Sequence, residues 1–107
     1  LKTNNMNKEF IPYEQALELK ELGFDEKCIE VLPGSWVNIP LYSQAFRFFR
    51  EKHGLYSLIK CIDTSNEHFA YEIELGGGTK MYVSGANTYE EAENALIDKL
   101  IELVKNK

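Results

Sequence analysis

The sequence predicts an α+β domain in which helices pack on a three-stranded antiparallel sheet, in the order α, irregular segment, α, β, β, β, α. Two observations support this class. Apolar residues recur every three or four positions in three segments, and they alternate with polar residues in the stretch between the second and the third. The 107 residues suit one hydrophobic core. We therefore predict a flexible tail over residues 1–9 and a single domain over residues 10–107.

The first helix is predicted to begin near Pro12, whose fixed φ suits the first position of a helix, and to end at Gly23. Its apolar positions have a spacing of three residues: Ala16, Leu19 and Leu22. Residues 24–39 follow without a clean period. The turn signal before Trp36 is compatible with a short strand or with a packed loop, so this segment stays irregular in the predicted order.

The second helix is predicted to begin at Pro40 and to end at Gly54. Its apolar positions follow the i, i+3, i+4, i+7 pattern of one helix face: Tyr42, Ala45, Phe46 and Phe49. Its second half carries four basic side chains: Arg47, Arg50, Lys52 and His53. Two explanations stay open. The cations suit the negative end of the helix dipole, or they form a patch for an anion or a partner, with Arg47 and Arg50 on one side of the helix.

Three strands are predicted after this helix. Residues 55–62 form a run rich in Leu, Tyr and Ile, which is typical of a strand. The clearest strand follows, with four large apolar residues at alternate positions: Phe69, Tyr71, Ile73 and Leu75. Glu72 and Glu74 lie on the face expected to be wet, where acids discourage association between sheet edges. The glycines at 76–78 permit a hairpin into the third strand of an antiparallel meander.

The last helix is predicted to begin at Thr88, which forms a capping box with Glu91. Its apolar residues make two adjacent stripes, which together cover about half of the circumference. The first stripe is Ala92, Leu96, Leu100 and Leu103, and the second is Ile97, Ile101 and Val104. Two explanations stay open. Both stripes are buried within one subunit, or the second stripe, with Trp36, forms an interface with another chain.

Composition limits the classes of partner. Twelve Lys and Arg against seventeen Asp and Glu give a net charge of −5, the wrong sign for a protein that neutralises phosphates. Nucleic acid is therefore disfavoured as a partner. No apolar run approaches the length of about 20 residues that a membrane helix needs, so we expect no membrane span and a cytoplasmic location. Cys28 and Cys61 are isolated in the sequence, which predicts reduced thiols.

No residues have the spacing of a catalytic triad or of a clustered metal site. Neither His53 nor His68 has a Ser, Cys or second His at a distance along the chain that suggests a relay. The glycines at 76–78 precede a strand, whereas a phosphate-binding loop precedes a helix. We therefore identify no catalytic residue, metal ligand or cofactor site, and we favour a role without enzymatic activity.

From Pro40 to Val104 the order helix, three strands, helix resembles the double-stranded-RNA-binding domain. His68, before the second strand, is similar in position to the histidine-bearing loop that this family places in the minor groove. The resemblance implies an α-β-β-β-α fold with RNA as a partner. The family's lysine cluster, at the start of its final helix, corresponds here to residues 88–91. These are neutral or acidic and would repel phosphate.

Residues 10–25 and 41–52, together with the acidic start of the last helix at residues 89–92, look like small uncharacterised proteins of phages and prophages, particularly those of Bacteroidetes. This resemblance implies a mobile-element context and supplies no activity. The expected function is a non-catalytic protein-interaction module that binds a protein partner or self-associates as a homodimer. The alternative is a nucleic-acid-binding module with the RNA-binding-domain-like fold, acting through the basic side chains of the second helix.

Overall fold

The computed structural model describes residues 9–26, 28, 30–32, 37–63, 65 and 68–106. The elements in chain order are α1 (Tyr13–Glu21), β1 (Glu30–Leu32), β2 (Val37–Ile39), α2 (Tyr42–His53), β3 (Tyr56–Asp63), β4 (His68–Gly76), β5 (Thr79–Ala86) and α3 (Tyr89–Lys105). The α+β class and the three-stranded antiparallel sheet are confirmed. None of the helices in this part of the chain is long and apolar enough to cross a membrane.

The three-stranded sheet is an antiparallel meander with β4 in the centre. Three rows of facing residues define its register: Tyr56–Glu74–Lys80, Leu58–Glu72–Tyr82 and Lys60–Ala70–Ser84. The turn between β4 and β5 uses positive φ angles of 99°, 61° and 84° at Gly76, Gly77 and Gly78. Glycine adopts such angles without strain, so the predicted hairpin is confirmed where the sequence placed it.

The ends of α2 and α3 follow the sequence signals. Gly54 ends α2 in the left-handed conformation, with a φ of 67°. At the start of α3 the backbone N–H of Glu91 donates to Thr88 Oγ1 at 3.0 Å. The Glu91 carboxylate accepts in return from the backbone N–H of Asn87, also at 3.0 Å. The Thr88 side chain thus satisfies a donor in the first turn that the helix leaves unpaired, and the Glu91 side chain satisfies a donor in the segment just before the helix.

Residues 24–39, which were irregular in the predicted order, contain a second and smaller sheet. β1 and β2 pair as antiparallel strands, with Glu30 opposite Ile39. α1 packs against β2, so this small sheet is joined to the helical side of the molecule. Trp36, which was predicted as an interface residue, lies outside the described residues, and so do residues 1–8 of the predicted tail.

α2 and α3 pack on one face of the three-stranded sheet, and α1 packs against α3. The core forms between these elements. Its most deeply buried large side chains are Leu19, Phe49, Ile73, Leu96, Ile97 and Leu100. The sheet contributes Ile59, Tyr71 and Val83 from a single row across its three strands. That row defines the inner face of the sheet.

The second apolar stripe of α3 lies mainly inside the subunit. Ile97 is fully buried, Ile101 is 3% exposed, and Val104 is half-buried against the same core. Of the two explanations for this stripe, the structure shows burial within one subunit for Ile97 and Ile101. This corrects the predicted interface, because side chains already removed from water contribute no further apolar area to a contact.

Polar contacts link α1 to α3, against which it packs. The buried side chain of Gln15 donates from Nε2 to the backbone carbonyl of Asn94 at 3.1 Å and to Asp98 Oδ1 at 2.8 Å. An ion pair of 2.6 Å joins Lys105 Nζ to Glu18 Oε2 near the end of α3. These contacts link residues far apart in sequence, so the pattern of the last helix alone does not reveal them.

Candidate interaction surface

The basic patch predicted on α2 is only partly available to a partner. Arg47 forms an ion pair with Glu26, in the segment after α1. The ring of His53 packs edge-on against Phe48, with centroids 5.1 Å apart. The other two members are exposed: Arg50 and Lys52. Half of the predicted patch therefore has contacts within the subunit, which leaves a smaller positive surface than the sequence indicated.

The outer face of the three-stranded sheet carries exposed apolar side chains. Side chains alternate between the two faces of a strand, so the neighbours of the inner-face residues point away from the helices. Tyr56 is 56% exposed, Leu58 48% and Tyr82 55%. We define the outer patch as Tyr56, Leu58, Lys60, Glu72, Glu74, Lys80 and Tyr82. Three large apolar side chains thus share one face with four charged ones.

Glu72 lies at the centre of the outer patch. Its carboxylate is 2.5 Å from Lys60 Nζ and 4.0 Å from Lys80 Nζ. The hydrogen bond from Lys60 holds the pKa of Glu72 below its ordinary value, and the same contact raises the pKa of Lys60. Leu58 and Tyr82 flank Glu72 in its row. The patch therefore presents a carboxylate that already has its counterion, between two apolar side chains.

A shallow concavity of about 240 Å³ lies on this patch. Its lining is Tyr56, Ser57, Leu58, Glu72, Glu74 and Lys80. Sites for drug-sized ligands usually measure about 300–1,000 Å³ and enclose most of the ligand. The concavity therefore suits a side chain from a partner better than a free small molecule.

A second concavity, of about 530 Å³, lies where α2 and α3 begin. Its walls include Tyr42 and Tyr89, and its acidic residues are Glu9, Glu90 and Glu93. Burial, and then the neighbouring Glu90, raises the pKa of Glu93 to about 7. Within the described residues, no group of three or more His, Cys, Asp or Glu could hold a metal ion. In this groove the carboxylate of Glu93 therefore binds a proton near neutral pH.

Both cysteines are free thiols, with Cys28 half-buried and Cys61 exposed. Burial, and then the nearby Glu26, raises the pKa of Cys28 to about 11. Its Sγ donates to the backbone carbonyl of Glu26 at 3.4 Å. Because the thiolate is the reactive form, Cys28 is a poor nucleophile at neutral pH.

No protein-family model matches the chain, no curated protein matches it, and no solved structure matches it. The two family resemblances both stay predictions. The outer patch is therefore assessed from its own geometry and charge.

Proposed function

We propose that this chain is a non-catalytic protein-interaction module that contacts its partner through the outer patch. The row Leu58–Glu72–Tyr82 is the observation that supports this most directly. Fully burying a side chain of leucine size contributes about 1.5–3 kcal/mol, and tyrosine is enriched among the residues that dominate interface energetics. Glu72 meets a partner as one half of an ion pair, which costs less than burying an isolated charge.

The scaffold also favours this function. The outer patch lies on three hydrogen-bonded strands whose inner face is packed against α2 and α3. The backbone of such strands is already ordered before a partner arrives, which reduces the entropy lost on binding. Aromatic side chains together with paired charges are typical of protein interfaces.

Site-specific photo-crosslinking tests this proposal. A photoreactive amino acid replaces Tyr82 in cells that naturally make the protein, and a second version replaces Glu51, an exposed residue of α2. We expect a discrete protein adduct from position 82, identified by mass spectrometry, that is absent from position 51 and reduced by Leu58→Lys. The absence of any adduct from position 82, or the same adducts from both positions, would contradict the proposal.

Nucleic-acid binding is the alternative, and the element order from α2 to α3 is the observation that favours it. Exposed acids at the start of α3, Glu90 and Glu91, oppose it by repelling phosphate. True phosphate contacts weaken steeply as salt rises, so titrations of duplex RNA and DNA at several salt concentrations decide the question. We expect no salt-dependent binding. Binding that Arg50→Glu with Lys52→Glu removes would establish the alternative.

A further inference from the structure

The outer patch is electrically neutral on an acidic molecule. Its two lysines, Lys60 and Lys80, balance its two glutamates, Glu72 and Glu74, whereas the whole chain carries a charge of −5. The surplus negative charge therefore belongs to other parts of the chain, which repel each other when two copies approach. The outer patch itself therefore adds no net charge repulsion when a second copy approaches it.

We infer that the partner of the outer patch is a second copy of this chain, packed face to face on the first. The inference rests on the proposed function and adds the identity of the partner. A neutral patch exerts little long-range attraction on a strongly charged protein, so charge steering gives other partners no advantage here. The fit depends on apolar contact and shape, which a copy of the same patch supplies.

The register of the sheet makes this contact self-complementary. Two adjacent rows differ at the β5 edge, where Leu58–Glu72–Tyr82 has a tyrosine and Lys60–Ala70–Ser84 has an exposed serine. A two-fold axis that crosses the strands between these rows places each row on the other row of the second copy. Tyr82 then lies over the second copy's Ser84, and Leu58 lies over the second copy's Lys60. Ala70 is only 1% exposed and takes little part. A large side chain thus meets a small one, and apolar surface meets the stem of a lysine.

The size of the patch sets the expected strength of the pair. Strands about 4.8 Å apart with a rise of about 3.4 Å per residue make a three-stranded face, about seven residues long, of roughly 14 by 24 Å. Two such faces bury roughly 700 Å², which is below the about 1,200 Å² at the lower end of stable complexes. We therefore expect a weak dimer that forms as the protein concentration rises.

Leu58→Lys separates the contact from the stability of the fold. Within one subunit the new lysine faces Glu72 across the strands, and opposite charges in that position favour the sheet. In the pair it lies opposite the second copy's Lys60, where like charges repel. The matched control is Leu75→Lys. Leu75 is another exposed leucine of the same sheet, with 42% of its surface exposed compared with 48% for Leu58, and it lies outside the outer patch.

Sedimentation equilibrium on the full chain, from about 10 μM to about 1 mM, covers the range expected for a small interface. We expect the original chain and Leu75→Lys to dimerise, and Leu58→Lys to associate at least about tenfold more weakly. An original chain that stays monomeric throughout, or a Leu58→Lys variant that dimerises equally well, overturns the inference.

Photo-crosslinking from position 82 distinguishes failure of this inference from failure of the proposed function. A monomeric chain whose position 82 forms an adduct with a different protein overturns the second copy as partner and keeps the interaction module. A monomeric chain with no adduct at position 82 overturns both.

Discussion

Lys60 reaches diagonally from β3 to Glu72 on β4, and its Nζ lies 2.5 Å from Glu72 Oε2 on the side of the sheet opposite the helices. The pair occupies the middle of a face on which Tyr56, Leu58 and Tyr82 are all about half exposed. An ion pair at this place keeps the carboxylate from facing an apolar neighbour alone. The pair therefore leaves no net charge at the middle of this face.

Replacing Lys60 with methionine should raise the pKa of Glu72 toward its ordinary value, because the first cause of the depression is the hydrogen bond from Lys60. Carboxyl NMR titration measures this change. A depressed folded-state pKa stabilises the fold above the unfolded-state pKa, and this stabilisation is lost as pH falls through the folded-state value. The difference in unfolding free energy between the two proteins should therefore shrink in acid.

The control for this titration is Lys99→Met, which breaks the 2.9 Å pair with Glu102 on α3. That change should leave the pKa of Glu72 where it is. A Glu72 pKa that does not move in Lys60→Met would show that the pair does not exist in solution.

Glu93→Gln should stabilise the protein above neutral pH. The folded-state pKa of about 7 exceeds the ordinary value of 4.5, so the folded state binds more protons than the unfolded state between these values. Stability therefore falls as pH rises through that window. The carboxyl is partly exposed and therefore screened by solvent. We expect Glu93→Gln to raise the free energy of unfolding by about 1 kcal/mol above this pH window and to leave it unchanged below the window. Thermal unfolding over a pH series measures the difference.

Glu90→Gln provides a graded control for the same site. It removes the second cause of the shift and keeps the first, which is burial, so the pKa of Glu93 should fall only part of the way. A full return to the ordinary value would mean that charge repulsion, and not burial, dominates in this groove.

Gln15→Leu should destabilise the fold by about 1–3 kcal/mol, because it removes the two hydrogen bonds that Nε2 donates to Asn94 and Asp98, each contributing about 0.5–1.5 kcal/mol. Urea unfolding measures the loss. The control is Glu14→Leu, the exposed neighbour on α1, which should change stability by less than about 0.5 kcal/mol. Equal effects at the two positions would contradict the role of Gln15 in holding α1 on α3.

Ile97→Ala should cost about 2–5 kcal/mol of stability, as expected for a fully buried aliphatic side chain that leaves a cavity. The concentration dependence of association should not change, because Ile97 lies in the core and not at an interface. Chemical unfolding together with sedimentation checks both statements. A stable variant that loses self-association would restore the interface first predicted on the last helix.

The sequence was informative where a pattern is local. Alternation on β4 placed Tyr71 and Ile73 in the core, and the spacing of Thr88 and Glu91 located the start of α3. The strand β1 was not predicted, and a short strand at β2 was only one of two open alternatives, because three residues are too few to establish a period. Leu75 follows the same alternation but is exposed, because it lies at the hairpin end of β4.

The candidate surface depends on contacts that no local pattern contains. Ile97 and Ile101 lie in a core to which α1, α2 and the sheet all contribute, and the hydrogen bonds of Gln15 that link α1 to α3 span 79 and 83 residues of chain. The outer patch had one usable signal. Tyr56 and Leu58 occupy alternate positions of β3 and therefore share a face. On β5, Tyr82 is the neighbour of Val83 and therefore points to the opposite face from it. Assigning a face to each requires the register of the sheet.

Residue-resolved NMR of the full chain at increasing protein concentration tests the outer patch as a contact surface most directly. Concentration-dependent shifts should be confined to residues 56–60, 70–74 and 80–84, and Leu58→Lys should abolish them. Shifts that cluster instead on α3 or on the exposed end of α2, or spectra that do not change with concentration, would contradict self-association through this face.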